Sequence, residues 1–230
     1  MAVAFDAKTS TFTEANPAAA TLTMTNLTVG SGSNRGLVSG ILFEAATIPT
    51  GITFSWDDAG TPQAMTAITN ATIASDGANS CTGVMYGLVA PTSGNKNLKI
   101  SWTGNTVAYG MAISFTGVNQ TSVAVAFPHG NSNKTTSASP TTITITSATG
   151  NFAVAMHAQA ASVWGAISGT TIATDVAGPQ QAVAANYDNG AASVVLTAAF
   201  TGTVPWDAIG CDVLAASAGG VVTRSWAFCY

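Results

Sequence analysis

Residues 98–117 read LKISWTGNTVAYGMAISFTG, and large side chains fall on every second position: Leu98, Ile100 and Trp102, then Val107, Tyr109, Met111, Ile113 and Phe115. Between the second set stand Ala108, Gly110, Ala112 and Ser114, all small. A period of two is the signature of a β-strand whose two faces meet different surroundings. Gly104-Asn105 suits a two-residue type II′ turn, with glycine at the position that needs positive φ. That turn predicts a hairpin pairing Trp102 with Val107, Ile100 with Tyr109 and Leu98 with Met111, all on one face. The large row then reads as core, and the small row as a flat back able to accept a neighbour.

The same pattern recurs along the chain. Phe152, Val154 and Met156 alternate with Ala153 and Ala155, and Val194, Leu196, Ala198 and Phe200 form a further row. Nothing repeats at helical spacing, and Thr, Ser, Gly and Val crowd every window. Strands are expected at 20–25, 36–45, 52–56, 81–89, 98–103, 107–115, 122–127, 141–146, 151–158, 182–187, 193–200 and 208–215. Recurring rows on many strands are what facing sheets require. The expected fold class is all-β, a jelly-roll-like two-sheet antiparallel β-sandwich. One domain is expected over 1–216, followed by a C-terminal strand or arm, 217–230.

The two halves also match each other. Residues 67–76, AITNATIASD, align with 166–175, AISGTTIATD. The flanking order repeats too, with LTMTNLTVG and RGLVSGILF before the first copy against TITITSATG and NFAVAMHA before the second. This predicts an internal duplication of pseudo-twofold character. A chain this rich in Thr, Ala and Gly also yields such matches by chance, so strand order must decide.

Composition excludes several classes of function. Only 7% of the 230 residues are charged, against 47% hydrophobic, so the surface must be built from neutral residues. Six Lys and Arg against ten Asp and Glu leave no basic stripe for phosphates. Nucleic acid is therefore not an expected partner. Cys81, Cys211 and Cys229 show no zinc or disulfide spacing and read as buried thiols. No charge-free stretch is apolar enough for a membrane helix, and the start, MAVAFDAKTSTFTEA, lacks signal-peptide patterning.

Chemistry has few candidates. His129 and His157 are the two histidines and Glu14 and Glu44 the two glutamates; none belongs to a nucleophile or paired-carboxylate signature. The chain is not expected to be an enzyme, and no cofactor or metal is called for. Asp57-Asp58 and Asp188 to Gly190 fit calcium loops or ordinary turns, and turns are the commoner use. Two sets of aromatics remain. Trp226, Phe228 and Tyr230 alternate in VVTRSWAFCY and are candidates for docking on a partner or on this domain. Trp56, Tyr86, Trp164 and Tyr187, read as aromatics at or near loops, are candidates for stacking on sugar rings.

Several motifs, in order, resemble a widespread bacterial and bacteriophage β-sandwich family. They are Asn34-Arg35 with Phe43-Glu44, YGLVAPTSG from Tyr86 to Gly94, Trp102 to Gly104, SFTGVNQ from Ser114 to Gln120, Ser147 to Phe152, and Trp206. The resemblance spans about residues 20–216. It implies a compact sandwich without transferable catalytic residues, of a kind found in secreted repeat proteins and in phages. With one copy and no legible signal peptide, it implies a virion structural protein: capsid decoration, head, tail or fibre, partnered by other virion subunits as a homo-oligomer. The alternative is a carbohydrate-binding module of an extracellular or cell-surface protein.

Overall fold

The computed structural model describes residues 1–73, 81–160, 163–175 and 181–217. The expected arm, with Trp226, Phe228 and Tyr230, and also Cys229, lie outside the described residues. The fold is an all-β sandwich of antiparallel sheets. The first half contains β1 (Ala4–Lys8), β2 (Thr13–Val29), β3 (Gly36–Glu44), β4 (Thr53–Trp56), β5 (Gln63–Ala64), β6 (Thr66–Ile73), β7 (Cys81–Val89) and β8 (Gly94–Thr116). After the short helix α1 (Val123–Ala126), the second contains β9 (Asn131–Ala138), β10 (Thr141–Thr146), β11 (Phe152–Ala160), β12 (Trp164–Ile167), β13 (Thr170–Asp175), β14 (Gln181–Asn189), β15 (Ser193–Phe200) and β16 (Thr203–Val213).

Strand β8 overturns the predicted hairpin. It runs unbroken through Gly104-Asn105, and no pair forms between Trp102 and Val107. Its first part pairs with β4 and the second part of β2, as in Leu22 with Ile100 and Phe54 with Ile100. Its second part pairs with β3, as in Leu42 with Tyr109, and is flanked on the other side by β1 and the start of β2. Gly104, at φ 88°, sits where the strand leaves one sheet for the other. A positive-φ glycine thus makes a corner between sheets, which has the same local sequence signature as a tight turn.

Strand order then decides the duplication. The first half has an inner sheet β1–β8–β3–β7–β6 and an outer sheet β2–β8–β4–β5. The second has an inner sheet β9–β16–β11–β14–β13 and an outer sheet β10–β15–β12. Matched strand for strand, these are one topology used twice, the interleaved order of a jelly roll. The aligned decamers carry a shared backbone feature as well: Asn70 and Gly169 occupy the same motif position and take φ of 64° and 62°. The sandwich is therefore two jelly rolls in tandem, stacked inner sheet on inner sheet.

Three apolar cores follow. Leu22, Met24, Leu37, Ile41, Phe43, Phe54, Leu98, Ile100 and Trp102 fill the first roll. Ile143, Ile145, Ala153, Ala155, Leu196 and Phe200 fill the second. The third lies between the rolls and joins Val38, Met85, Tyr109, Met111, Ile113 and Phe115 to Val154, Met156, Val183, Ile209 and Cys211. The large row of the opening stretch is core as expected, but the part after Gly104 faces the other roll. The small row is not a free back: Ala108 and Ala112 are buried in the first roll's own core together with Leu22 and Met24. Small residues suit that face because β2 folds down over it. Gly40 has the complementary role between the rolls, since a Cβ there would stand 2.1 Å from the Met156 sulfur.

Strand β1 straps the rolls together. The Lys8 ammonium donates to the carbonyl of Ile172 at 2.9 Å and to that of Thr171, and burial lowers its pKa. Phe5 stacks on Tyr187 with centroids 5.5 Å apart, and the Val3 amide donates to Gly150 O. The connecting segment is pinned as well, by Asn119 N to Leu214 O and Leu214 N to Ala126 O. Within it, the strand expected over 122–127 is instead α1, capped by Ser122 Oγ accepting from Val125 N at 3.3 Å.

The shared core predicts joint unfolding. Ile209→Ala, which empties a fully buried site of the second roll between the sheets, should cost about 2–5 kcal/mol. Calorimetry should show one transition for the whole chain, moved to lower temperature. A first-roll transition left at its original temperature would refute the shared core.

Candidate functional site

The four aromatics nominated for sugar stacking do not make a platform. Trp56 is 0% exposed, and its indole N–H donates to Thr92 O at 2.9 Å and Thr92 Oγ1 at 3.1 Å. Tyr86 stacks on Phe54 with centroids 4.2 Å apart and donates its hydroxyl to Ile52 O. Burial raises its pKa. Trp164 is half-buried and donates Nε1–H to Val183 O at 2.8 Å, tying the outer sheet of the second roll to its inner one. Tyr187 is 9% exposed and joins Phe5, Phe115 and Phe152 in a ring cluster across the rolls. Two of the four belong to each roll, and each is spent on packing. At strand ends of a jelly roll the aromatic caps the core, which periodicity alone cannot distinguish from a solvent-facing position.

Among the described residues, one chain of polar groups has catalytic form, and it is sealed. His157 Nδ1 lies 2.7 Å from Thr141 Oγ1, and its Nε2 lies 3.0 Å from Asn186 Oδ1. The Asn186 amide donates to Ser168 O at 3.0 Å, which leaves its oxygen to accept from His157 Nε2–H. Nδ1 then accepts from the Thr141 hydroxyl. Hydroxyl, imidazole and amide stand in the order of a nucleophile, a base and its orienting group, yet all three residues are 0% exposed. The chain of bonds links β10, β11 and β14, closing the second roll between its sheets. Burial pushes the His157 pKa down to about 4, outweighing the upward pull of the Asn186 bond.

A second cluster joins the segment between the rolls to the end of β16. Asp212 accepts from Ser147 Oγ at 2.6 Å and Asn151 Nδ2 at 2.8 Å, with His129 Nδ1 3.8 Å away. Burial raises the Asp212 pKa against the opposing pull of those donors. Asn151 Oδ1 in turn accepts from Ala215 N. Here the carboxylate is central and the hydroxyl is its donor, so the hydroxyl is not activated as a nucleophile. The cluster's effect is to fasten three segments.

The acids considered for calcium loops have local partners instead, with Asp57 and Asp58 in the turn after β4 and Asp188 near the end of β14. Asp57 lies 2.5 Å from Lys96 Nζ, whose bond lowers the carboxyl pKa, and Asp58 lies 3.7 Å from Lys99. Asp188 Oδ1 accepts from Asn189 N. Among the described residues no three His, Cys, Asp or Glu side chains converge as a metal site would need. Cys81 and Cys211 are buried free thiols, and burial raises both pKa values. No helix among the described residues is long and apolar enough to cross a membrane. A groove of about 280 Å³ beside β1 and β2 is lined by hydroxyl side chains such as Ser10, Thr11, Thr13, Thr23 and Thr25, with Asn26 and Lys8. No family model matches the chain, and no curated protein matches it.

Alternation puts His157 in line with Ala153 and Ala155, but nothing in the sequence pairs it with Thr141 and Asn186, which come close only through sheet stacking and strand pairing. The pairing makes a pH prediction. His157 is held at about 4 in the folded chain against 6.5 when exposed, so its contribution is full above pH 6.5 and is lost as pH falls toward 4. The loss should reach about 3 kcal/mol. Asp212, with its pKa raised, slopes the opposite way, so the comparison must be with His157→Gln. Denaturant midpoints from pH 7 to 4 should fall more steeply for the native chain; equal slopes would refute the assignment.

Proposed function

We propose that this protein is a non-enzymatic structural subunit of a virion, acting by assembly and adhesion with other virion subunits. The observation that carries the reading is where the polar chemistry has gone. The catalytic-looking chain of Thr141, His157 and Asn186 is sealed in a core, and the carboxylates of Asp57, Asp58 and Asp212 are engaged by lysines, an amide and a hydroxyl. Much of what faces outward on the outer sheets is hydroxyl-bearing, as at Thr21, Thr23, Thr144 and Thr146, with Lys99 and Val195 standing among these hydroxyls. Such faces can be matched by hydrogen bonds across an interface without the cost of desolvating charges. Two jelly rolls locked through a common core supply a stiff building block, which suits a shell or fibre component better than a hinged binder.

The carbohydrate-binding alternative loses its main support, because Trp56 and Tyr187 are buried and Tyr86 is stacked on Phe54. The hydroxyl-lined groove lacks any aromatic side chain on which a sugar could stack.

Light scattering after size exclusion, combined with a glycan array, tests the proposal. The expected result is a regular oligomer that binds no glycan and co-sediments with virions when expressed during phage growth. A strict monomer that binds a defined glycan would overturn it.

A further inference from the structure

The two rolls treat one equivalent edge differently. Gly36 pairs with Phe115 where Phe152 pairs with Val213, so Gly110 takes the place of Ala208 and Thr13 that of Asn133. In the second roll, Asn131 and Asn133 of β9 reach the edge of β10 and donate their side-chain amides to the carbonyls of Thr144 and Thr142, each at 2.8 Å. In the first roll the facing side chains are shorter. Thr13 stands where Asn133 does, and Thr9, near the place of Asn131, donates its hydroxyl back to Ala112 O at 3.3 Å. The gap that remains is the groove of about 280 Å³, with Ser10, Thr11 and Thr13 on one wall and residues 23–27 of β2 on the other.

The β2 wall presents main-chain groups. Asp57 N donates to Asn97 O and Thr103 N to Thr50 O, so odd-numbered residues of β8 turn their main-chain groups toward β4 and even-numbered ones toward β2. Thr21 and Thr23, opposite Ser101 and Lys99, therefore turn theirs away from β8, and those of Thr23 face the groove. On β10 the matching carbonyls are the ones that Asn131 and Asn133 reach. Lys8, the charged residue in the lining, already has its ammonium on the carbonyls of Thr171 and Ile172. The groove thus offers neutral hydroxyls and main-chain groups.

We propose that this groove is a docking slot for an extended segment of a different protein, one that presents Asn or Gln side chains on alternate residues. The proposal rests on the assembly reading and names the chemistry of one partner. The contact of β9 with β10 is its template, because alternate residues of an extended chain share a face and can meet successive outward carbonyls. A carboxamide also suits a neutral wall, since it both donates and accepts.

This chain does not supply the occupant. Asn or Gln residues stand two apart at only two places in the sequence, Asn95 with Asn97 and Asn131 with Asn133. The first pair is held inside β8, where Asn95 lies opposite Thr28 and Asn97 O accepts from Asp57 N. The second is already bonded to β10. A second copy would bring the same two committed pairs, so the slot calls for another chain.

The test titrates the full chain, followed by backbone amide NMR, with the peptide GNSNKT, the sequence of residues 130–135, and with GSSSKT as control. Saturable shifts should appear at Thr13, Thr23 and Thr25 with the first peptide. The control should bind at least about 10-fold more weakly, as loss of two hydrogen bonds predicts. Thr13→Asn should set a carboxamide where Asn133 stands in the second roll, raise the thermal midpoint and abolish the shifts. Equal binding of both peptides, or shifts confined to other strands, would overturn the slot. So would a native chain that ignores both peptides while Thr13→Asn stabilises it, the mark of a groove filled by water alone. A homo-oligomer that dissolves in Thr13→Asn would overturn the choice of partner in favour of a second copy. A regular oligomer by light scattering, with no peptide bound, would remove the slot and leave the assembly reading standing.

Discussion

The inner sheets of the two rolls bury one another, and the rest of the architecture follows from that contact. Val38, Met111 and Ile113 on one side and Val154, Met156 and Ile209 on the other are fully enclosed only while the rolls stay together. Each inner sheet therefore has apolar residues on both faces, which explains why β3 and β11 are buried along almost their whole length. Polar faces are left to the outer sheets. With so few charges in the sequence, those faces are made largely of threonine and serine, and two of the scarce acids, Asp57 and Asp58, pair with Lys96 and Lys99 of β8.

That constraint also explains where the aromatics went. A chain that stacks four layers has many strand ends to close, and Trp56, Trp164 and Tyr187 close them. Buried polar atoms are used in the same way: His157 joins three strands through two hydrogen bonds, and Asp212 gathers a loop, a strand and the connecting segment. Both clusters look chemical when viewed as residue types, and both become structural once burial is known.

Much of the fold was legible from alternation. The spans of β7, β10 and β15 coincide with the expected strands, and the repeated decamers pointed to a duplication that strand order bears out. The hairpin at Gly104 failed because a glycine that turns a chain back and one that carries it round a corner look alike locally; only the pairing partners β2, β3 and β4 separate them. Strands as short as β5 and β12 left no periodicity to read, and Val123 to Ala126 alternates too briefly to distinguish a strand from the helical turn that Ser122 caps. Of the candidate aromatics, periodicity located the positions but not their exposure, since that depends on which layer covers each strand end.

Strand β1 carries one more consequence. It is made before the strands it straps, yet its contacts are with residues 113–116, Ile172 and Tyr187, while Val3 and Met1 just ahead of it donate to the carbonyls of Gly150 and Ala216. Contacts this distant in sequence carry a heavy loop-closure cost and slow folding. On the ribosome, β1 must therefore wait, unpaired across the rolls, until nearly all of the described chain has emerged. The strap that locks the two rolls is thus made before both of them and fastened after both.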